Sequence, residues 1–320
     1  MHAVPENFSH SLRDKKGARV KARSTGEAMQ LDIFEHGREV MLRNDAVDAL
    51  ERRDASAGRH ACDRLEKEYP GDESLSSLRV LADCIEAAGV GRDQAFRDHA
   101  SLGEARQILQ GPICDAAQRT FGDAAAGVWL AVSWQELAHR AGSLAFDARY
   151  PQDHAAPLWL RAGNWEAAAP AVATIESWRR KPAPLAWMAE ARMHLLGLRA
   201  TWPLLAELGW LSPALLEDIA QRSPDPLLPR LMRSFEASTG GAEIGDLSWF
   251  AAWVLIERPD LREHLAPAQA SQHSPPEQAM RLLVELLGLE RQGRHADIIA
   301  RRKALRDLQP SLYAAYMKNR

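Results

Sequence analysis

All ten tryptophans of the chain fall between Trp129 and Trp253, and within that stretch Gly163 and Gly197 lie 34 residues apart, each preceded by an apolar helical run. A tight turn between two packed helices calls for glycine, and recurrence at this interval is the spacing of stacked helix-turn-helix units. A chain built this way buries its apolar faces between neighbouring hairpins. The helical pattern also extends outside the tryptophan-rich part. Leu31, Ile33, Phe34, Val40, Met41, Ala46, Val47 and Leu50 recur at threes and fours, as an amphipathic helix or a closely joined pair requires. Alternation of period two is hard to find anywhere, so the expected fold class is all-α with no sheet.

Further along, Gly58, Cys62 and Leu65 share one face of a helical stretch that begins after Asp54, and Pro70 follows it as a stop. Proline cannot continue a helix and disfavours helical geometry in the residue before it, here Tyr69. After the Pro70-Gly-Asp turn, Leu75, Leu78, Leu81, Ala82 and Ile85 begin another apolar stripe. The pattern of a small residue, a larger apolar one four on, another three further and a closing proline resembles the second helix of a tetratricopeptide repeat. Three more segments are similar: Gly163-Asn-Trp-Glu-Ala-Ala-Ala with Pro182 nineteen residues after its glycine, Gly197 with Pro213 sixteen later, and Gly293-Arg-His-Ala-Asp-Ile-Ile-Ala with Pro310 seventeen later.

The resemblance covers residues 40–90, 150–215 and 280–312. It implies a TPR-like α-solenoid, a hairpin array in which the first helix of each pair lines a concave binding face. Pro170 and Pro203 stand inside or near the start of their helices, where the family seldom has proline, so local kinks are expected there. The expected organisation is a flexible basic arm over 1–28, a helical region over 29–150 with a hairpin near 40–90, and tryptophan-rich repeats over 151–320. Residues 93–150 and 224–275 read as helices of less regular spacing, with loops at 223–226, 238–241 and 271–276. Leu312 to Met317 reads as a short capping helix.

A length of 320 residues and a hydrophobic fraction of 46% suffice for a continuous core. The formal charge of −3 gives no global electrostatic argument for nucleic acid. Arginine far outnumbers lysine, a bias that GC-rich bacterial-like coding explains without special sites. Cys62, Cys84 and Cys114 form an odd set with no C-x-x-C pair, which fits a reduced, cytoplasmic chain. The longest apolar runs, Ala124 to Val132 and Trp249 to Ile256, are far short of the ~20 residues that span a bilayer. The basic residues before position 30 are followed by no apolar h-region, so no secretory signal is expected.

Chemical motifs are sparse. Glu190 and His194 share a helical face, as do His36 and Glu39, but neither pair has the local third ligand that a catalytic zinc needs. The chain has no H-E-x-x-H, no G-x-S-x-G elbow and no P-loop, and Gly89-Val-Gly91 lacks the third glycine of a dinucleotide fingerprint. No metal, cofactor or catalytic residue is therefore expected. Arg294, Arg302 and Arg306 fall on one ridge of the last long helix, where cations also complement the helix dipole.

The tryptophans are the best candidates for a binding surface, and the same spacing also suits them to filling the wedge between hairpin layers. Trp159, Arg161, Trp165, Trp187, Arg192, His194 and Trp202 are the candidate partner-binding residues, an aromatic and cationic set suited to a carboxylate-bearing segment. The function expected is a non-enzymatic adaptor that holds another protein or peptide, an acidic one among the candidates, as a monomer or weak dimer. Two rival readings are a helical enzyme or small-molecule sensor with an aromatic pocket, and an RNA-associated protein using the basic arm and the C-terminal ridge.

Overall fold

Local sequence chemistry decides where most helices start and stop. The computed structural model describes residues 37–91, 94–238, 245–269 and 273–320, and every regular element among them is helical. The basic arm of 1–28, the apolar positions Leu31, Ile33 and Phe34, and His36 lie outside the described residues. The chain divides into two compact units, Met1–Val90 with Pro112–Ala126, and Gly91–Gly111 with Gly127–Arg320.

In the first unit, α1 (37–51) is followed by α2 (Ala55–Glu68) and α3 (Leu75–Gly91). The Asp54 carboxylate caps α2 by accepting the Ala57 amide at 2.9 Å, and Tyr69, with φ of −134° and ψ of 71°, has left helical geometry ahead of Pro70. Leu42, Ala46, Ala49 and Leu50 form the buried stripe of α1. Val40 and Met41, expected on that stripe, are exposed instead, because steps of four, three and one from Leu42 follow the helical period and leave the two preceding positions off it. Gly58 allows close approach: a Cβ there would stand 3.1 Å from Leu50 Cδ2. Arg38 with Glu68 at 2.8 Å and Arg64 with Asp45 at 3.5 Å make α1 and α2 antiparallel. Arg59 to Asp83 and Arg79 to Glu66 do the same for α2 and α3. These pairs are largely exposed, so they set register more than stability.

The span α5 (Cys114–Arg140) runs through both units and is broken at Gly122, whose φ of 75° and ψ of 163° are not helical. Ahead of it, α4 (His99–Ile108) passes into a π-helical turn, Leu109–Ile113, that contains Pro112.

The second unit continues with α6 (Ala155–Arg161), α7 (Trp165–Ala173), α8 (Pro182–Leu196), α9 (Leu198–Leu211) and α10 (Pro213–Gln221). Then come α11 (Leu227–Ser238), α12 (Phe250–Glu257), α13 (Arg262–Leu265), α14 (Pro275–Gln292), α15 (His295–Leu308) and α16 (Pro310–Lys318). Successive helices from α6 to α10 pack on one another, α6 also touches α8, and α8 touches α10. Later elements fold back, with α12 and α13 against α9 and α12 against α14 and α16. Pro182, Pro213 and Pro310 each open a helix, where a missing N–H costs nothing. Pro170 and Pro203 stand inside α7 and α9. The turn glycines adopt positive φ, 69° at Gly163 and 80° with ψ of 170° at Gly197.

Aromatic side chains fill the interior. Trp129, Trp134, Trp159, Trp187, Trp202 and Trp253 are buried, and the other four tryptophans are half-buried. Trp202 of α9, Phe235 of α11, and Phe250 and Trp253 of α12 form one cluster with ring centroids 5.4–6.4 Å apart. At the C-terminus, Tyr316 is buried, donates its hydroxyl to Glu290 and lies under Arg302 and Arg320. No helix among the described residues is long and apolar enough to cross a membrane.

The backbone at Gly197 lies where only glycine is comfortable, so Gly197→Ala should destabilise by on the order of 1–3 kcal/mol. Gly127, exposed with open space around it in α5, should gain about 0.5–1 kcal/mol on substitution by alanine. Urea unfolding followed by circular dichroism should show these opposite signs.

Candidate functional site

The segment between α5 and α6 is held by α4. Asp98 caps α4 through the Ser101 amide at 2.8 Å. From this helix His99 Nε2 donates to the Ala145 carbonyl at 2.9 Å, and its ring stacks on Tyr150. Arg106 Nε donates to the buried Asp153 carboxylate at 2.7 Å. Gly103 makes room for that carboxylate, since a Cβ there would come within 3.1 Å of Asp153 Oδ2. These ties place Phe146 and His154.

His154 is the N-cap of α6. Its Nδ1 accepts the Ala156 amide at 3.1 Å, so the neutral ring carries its proton on Nε2. Burial, with a smaller contribution from His99, pushes its pKa down to about 4. Trp187 stacks parallel to the imidazole at 5.9 Å, and Phe146 meets it edge-on. His154 lines a cleft of about 440 Å³ with Phe146, Trp159, Glu176 and Lys181. The Lys181 ammonium donates to the Glu176 carbonyl at 2.7 Å and sits 5.5 Å from the Phe146 ring centre.

Trp187, on the other side of that stack, lines a second cleft of about 420 Å³ with Arg161, Glu190, Asp218 and Arg222. Two cations and two carboxylates balance its charge. Arg161 is exposed and lies 5.1 Å over the ring of Trp134. A third cleft, of about 330 Å³, lies beside the turn between α8 and α9 and includes Arg192.

The seven residues singled out from sequence therefore do not share one groove. Trp159 belongs to the first cleft, Arg161 and Trp187 to the second, and Arg192 to the third. Trp165 and His194 stack on each other at 3.8 Å, joining α7 to α8. Trp202 is 1% exposed and belongs to the core. Phe146, His154 and Lys181 were not read as site residues. An imidazole ahead of the apolar run 155–160 was the available signal for His154, but histidine is not a usual N-cap.

Among the described residues no group of three or more His, Cys, Asp or Glu side chains is placed to hold a metal ion. Glu190 faces Arg222 at 3.5 Å, and Glu39 pairs with Arg43. Cys62 is buried, and burial raises its pKa, so it remains a thiol. On the C-terminal ridge, Arg294, Arg302 and Arg306 are paired with Asp297, Glu290 and Asp307. No protein-family model matches the chain, no curated protein matches its sequence, and no solved structure matches its fold.

Between pH 6.5 and about 4 the unfolded chain takes up a proton at His154 that the folded protein refuses. This contribution to stability is thus complete above pH 6.5 and is lost as pH falls towards 4, on the order of 3 kcal/mol in all. His154→Asn keeps an acceptor at the N-cap and removes the titration. Urea unfolding across this range should show a flatter stability profile for the variant; identical slopes would contradict the assignment.

Proposed function

We propose that this chain is a non-enzymatic interaction adaptor, a tetratricopeptide-like hairpin array that holds a peptide or helix of a partner protein along the clefts of α6 to α10. The partner segment presents an apolar anchor flanked by acidic side chains. The observation that carries this reading is the pairing of cations with aromatic faces at the cleft edges, Lys181 over Phe146 and Arg161 over Trp134. A carboxylate arriving there meets a cation whose charged head already lies over a ring, and an apolar anchor meets Trp159 or Trp187 behind it. The contacts of α6 with α8 and of α8 with α10 support the stacked-hairpin description. The charge balance of the second cleft makes it select for the anchor more than for net charge.

Selection from a displayed random-peptide library, followed by titration calorimetry, tests the proposal. Lys181→Glu reverses the cleft-edge charge, and Ala171→Trp plugs the first cleft from α7. Each variant should weaken the selected peptide roughly tenfold or more with an unchanged melting temperature. Failure to enrich any peptide, or binding indifferent to both variants, overturns it.

A further inference from the structure

The cleft beside the α8–α9 turn has a different character from the other two. Its walls carry Arg179 from the 3₁₀ turn Trp178–Arg180, Arg192 from α8, Arg199 from α9, and Glu263 and His264 from α13. The carboxylates near it are already engaged. Glu207, 3% exposed, takes Arg179 with both oxygens, Nε at 2.5 Å and Nη2 at 2.6 Å. Glu263 faces Arg291 at 3.3 Å. Arg179 is thereby locked in place, and its Nη1 hydrogens meet no acceptor among the described residues. Arg192 is half-buried and engaged by no ion pair or side-chain hydrogen bond among the described residues. Arg199 is exposed; Asp260 is held below the usual range first by its hydrogen bond to Arg258, with Arg199 the last and smallest of the causes.

Three arginines thus line one cavity, and two of them, Arg192 and Arg199, form no ion pair among the described residues. Gathering unpaired cations at a partly desolvated surface is unfavourable unless an anion joins them. Guanidinium forks match the planar and tetrahedral oxygens of carboxylates and phosphates, and several forks around one point favour the doubly charged tetrahedral ion. Ala200, in the first turn of α9, lines the same cleft, so the positive end of that helix's dipole adds to the field. We propose that this cleft is a binding site for a phosphate group carried by a small molecule, with Arg192 and Arg199 as its charge-bearing ligands and Arg179 as a donor pre-aligned by Glu207. At about 330 Å³ the cavity exceeds a bare phosphate, which leaves room for an organic substituent against Pro203 and Leu204. The site stands on its own geometry and does not rest on the adaptor reading.

The test is calorimetric titration of the full chain with inorganic phosphate, phenyl phosphate and acetate, in a buffer free of other oxyanions. Phosphate should bind, phenyl phosphate should bind more tightly, and acetate should bind at least roughly tenfold more weakly than either. The double variant Arg192→Ala/Arg199→Ala should weaken both phosphates by a further factor of roughly ten or more. Arg192→Lys, which keeps the charge and loses the fork, should weaken them several-fold. No phosphate binding, equal binding of acetate, or unchanged affinity in a folded double variant overturns the site. Because the peptide experiment uses residues of the other clefts, either proposal can fail without the other.

Discussion

One carboxylate connects the parts of the second unit on which the clefts depend. Glu207 sits in the middle of α9 and receives Arg179 through two hydrogen bonds and the Gln269 amide through a third at 2.6 Å. It therefore ties the turn before α8 and the segment after α13 to one helix. A buried carboxylate is stable only with such complete pairing, and removing one partner of a buried ion pair typically costs ~3–5 kcal/mol. The backbone is bent to make this contact: Ser177 adopts φ of 52° and ψ of 34°, unusual for a residue with a side chain, and the 3₁₀ turn that follows delivers Arg179. The same Arg179 also lines the basic cleft.

The aromatic residues play the complementary part. The cluster of Trp202, Phe235, Phe250 and Trp253 joins α9, α11 and α12. The buried tryptophans fill space between helices, and at the cleft rims Lys181 and Arg161 lie over aromatic rings.

Much of the helical framework was legible because helix boundaries are local chemistry. Prolines 182, 213 and 310 open α8, α10 and α16, the turn glycines 163 and 197 take positive φ, and the short C-terminal helix is present as α16. Gly58, read as the small position of its helix face, sits against Leu50. The site was less legible because it depends on contacts between distant residues. Arg179 and Glu207 are 28 residues apart, and Arg106 and Asp153 are 47 apart, with no periodic pattern linking either pair. For the tryptophans, helical spacing alone left core and groove open. Trp202 lies in the core because its face of α9 meets α12, a contact between segments whose intervening loops carry no length signal.

The account rests on a rigid aromatic interior with clefts at its charged rims. Hydroxyl-radical footprinting of the native protein, resolved to individual tryptophans, measures this most directly. Trp202 and Trp253 should be oxidised slowest, the half-buried Trp165, Trp178, Trp210 and Trp249 should react fastest, and all ten should stay below the rate of the urea-unfolded chain. Oxidation of Trp202 at the unfolded rate would mean that α9 and α12 do not close on it, and would contradict the packed aromatic interior.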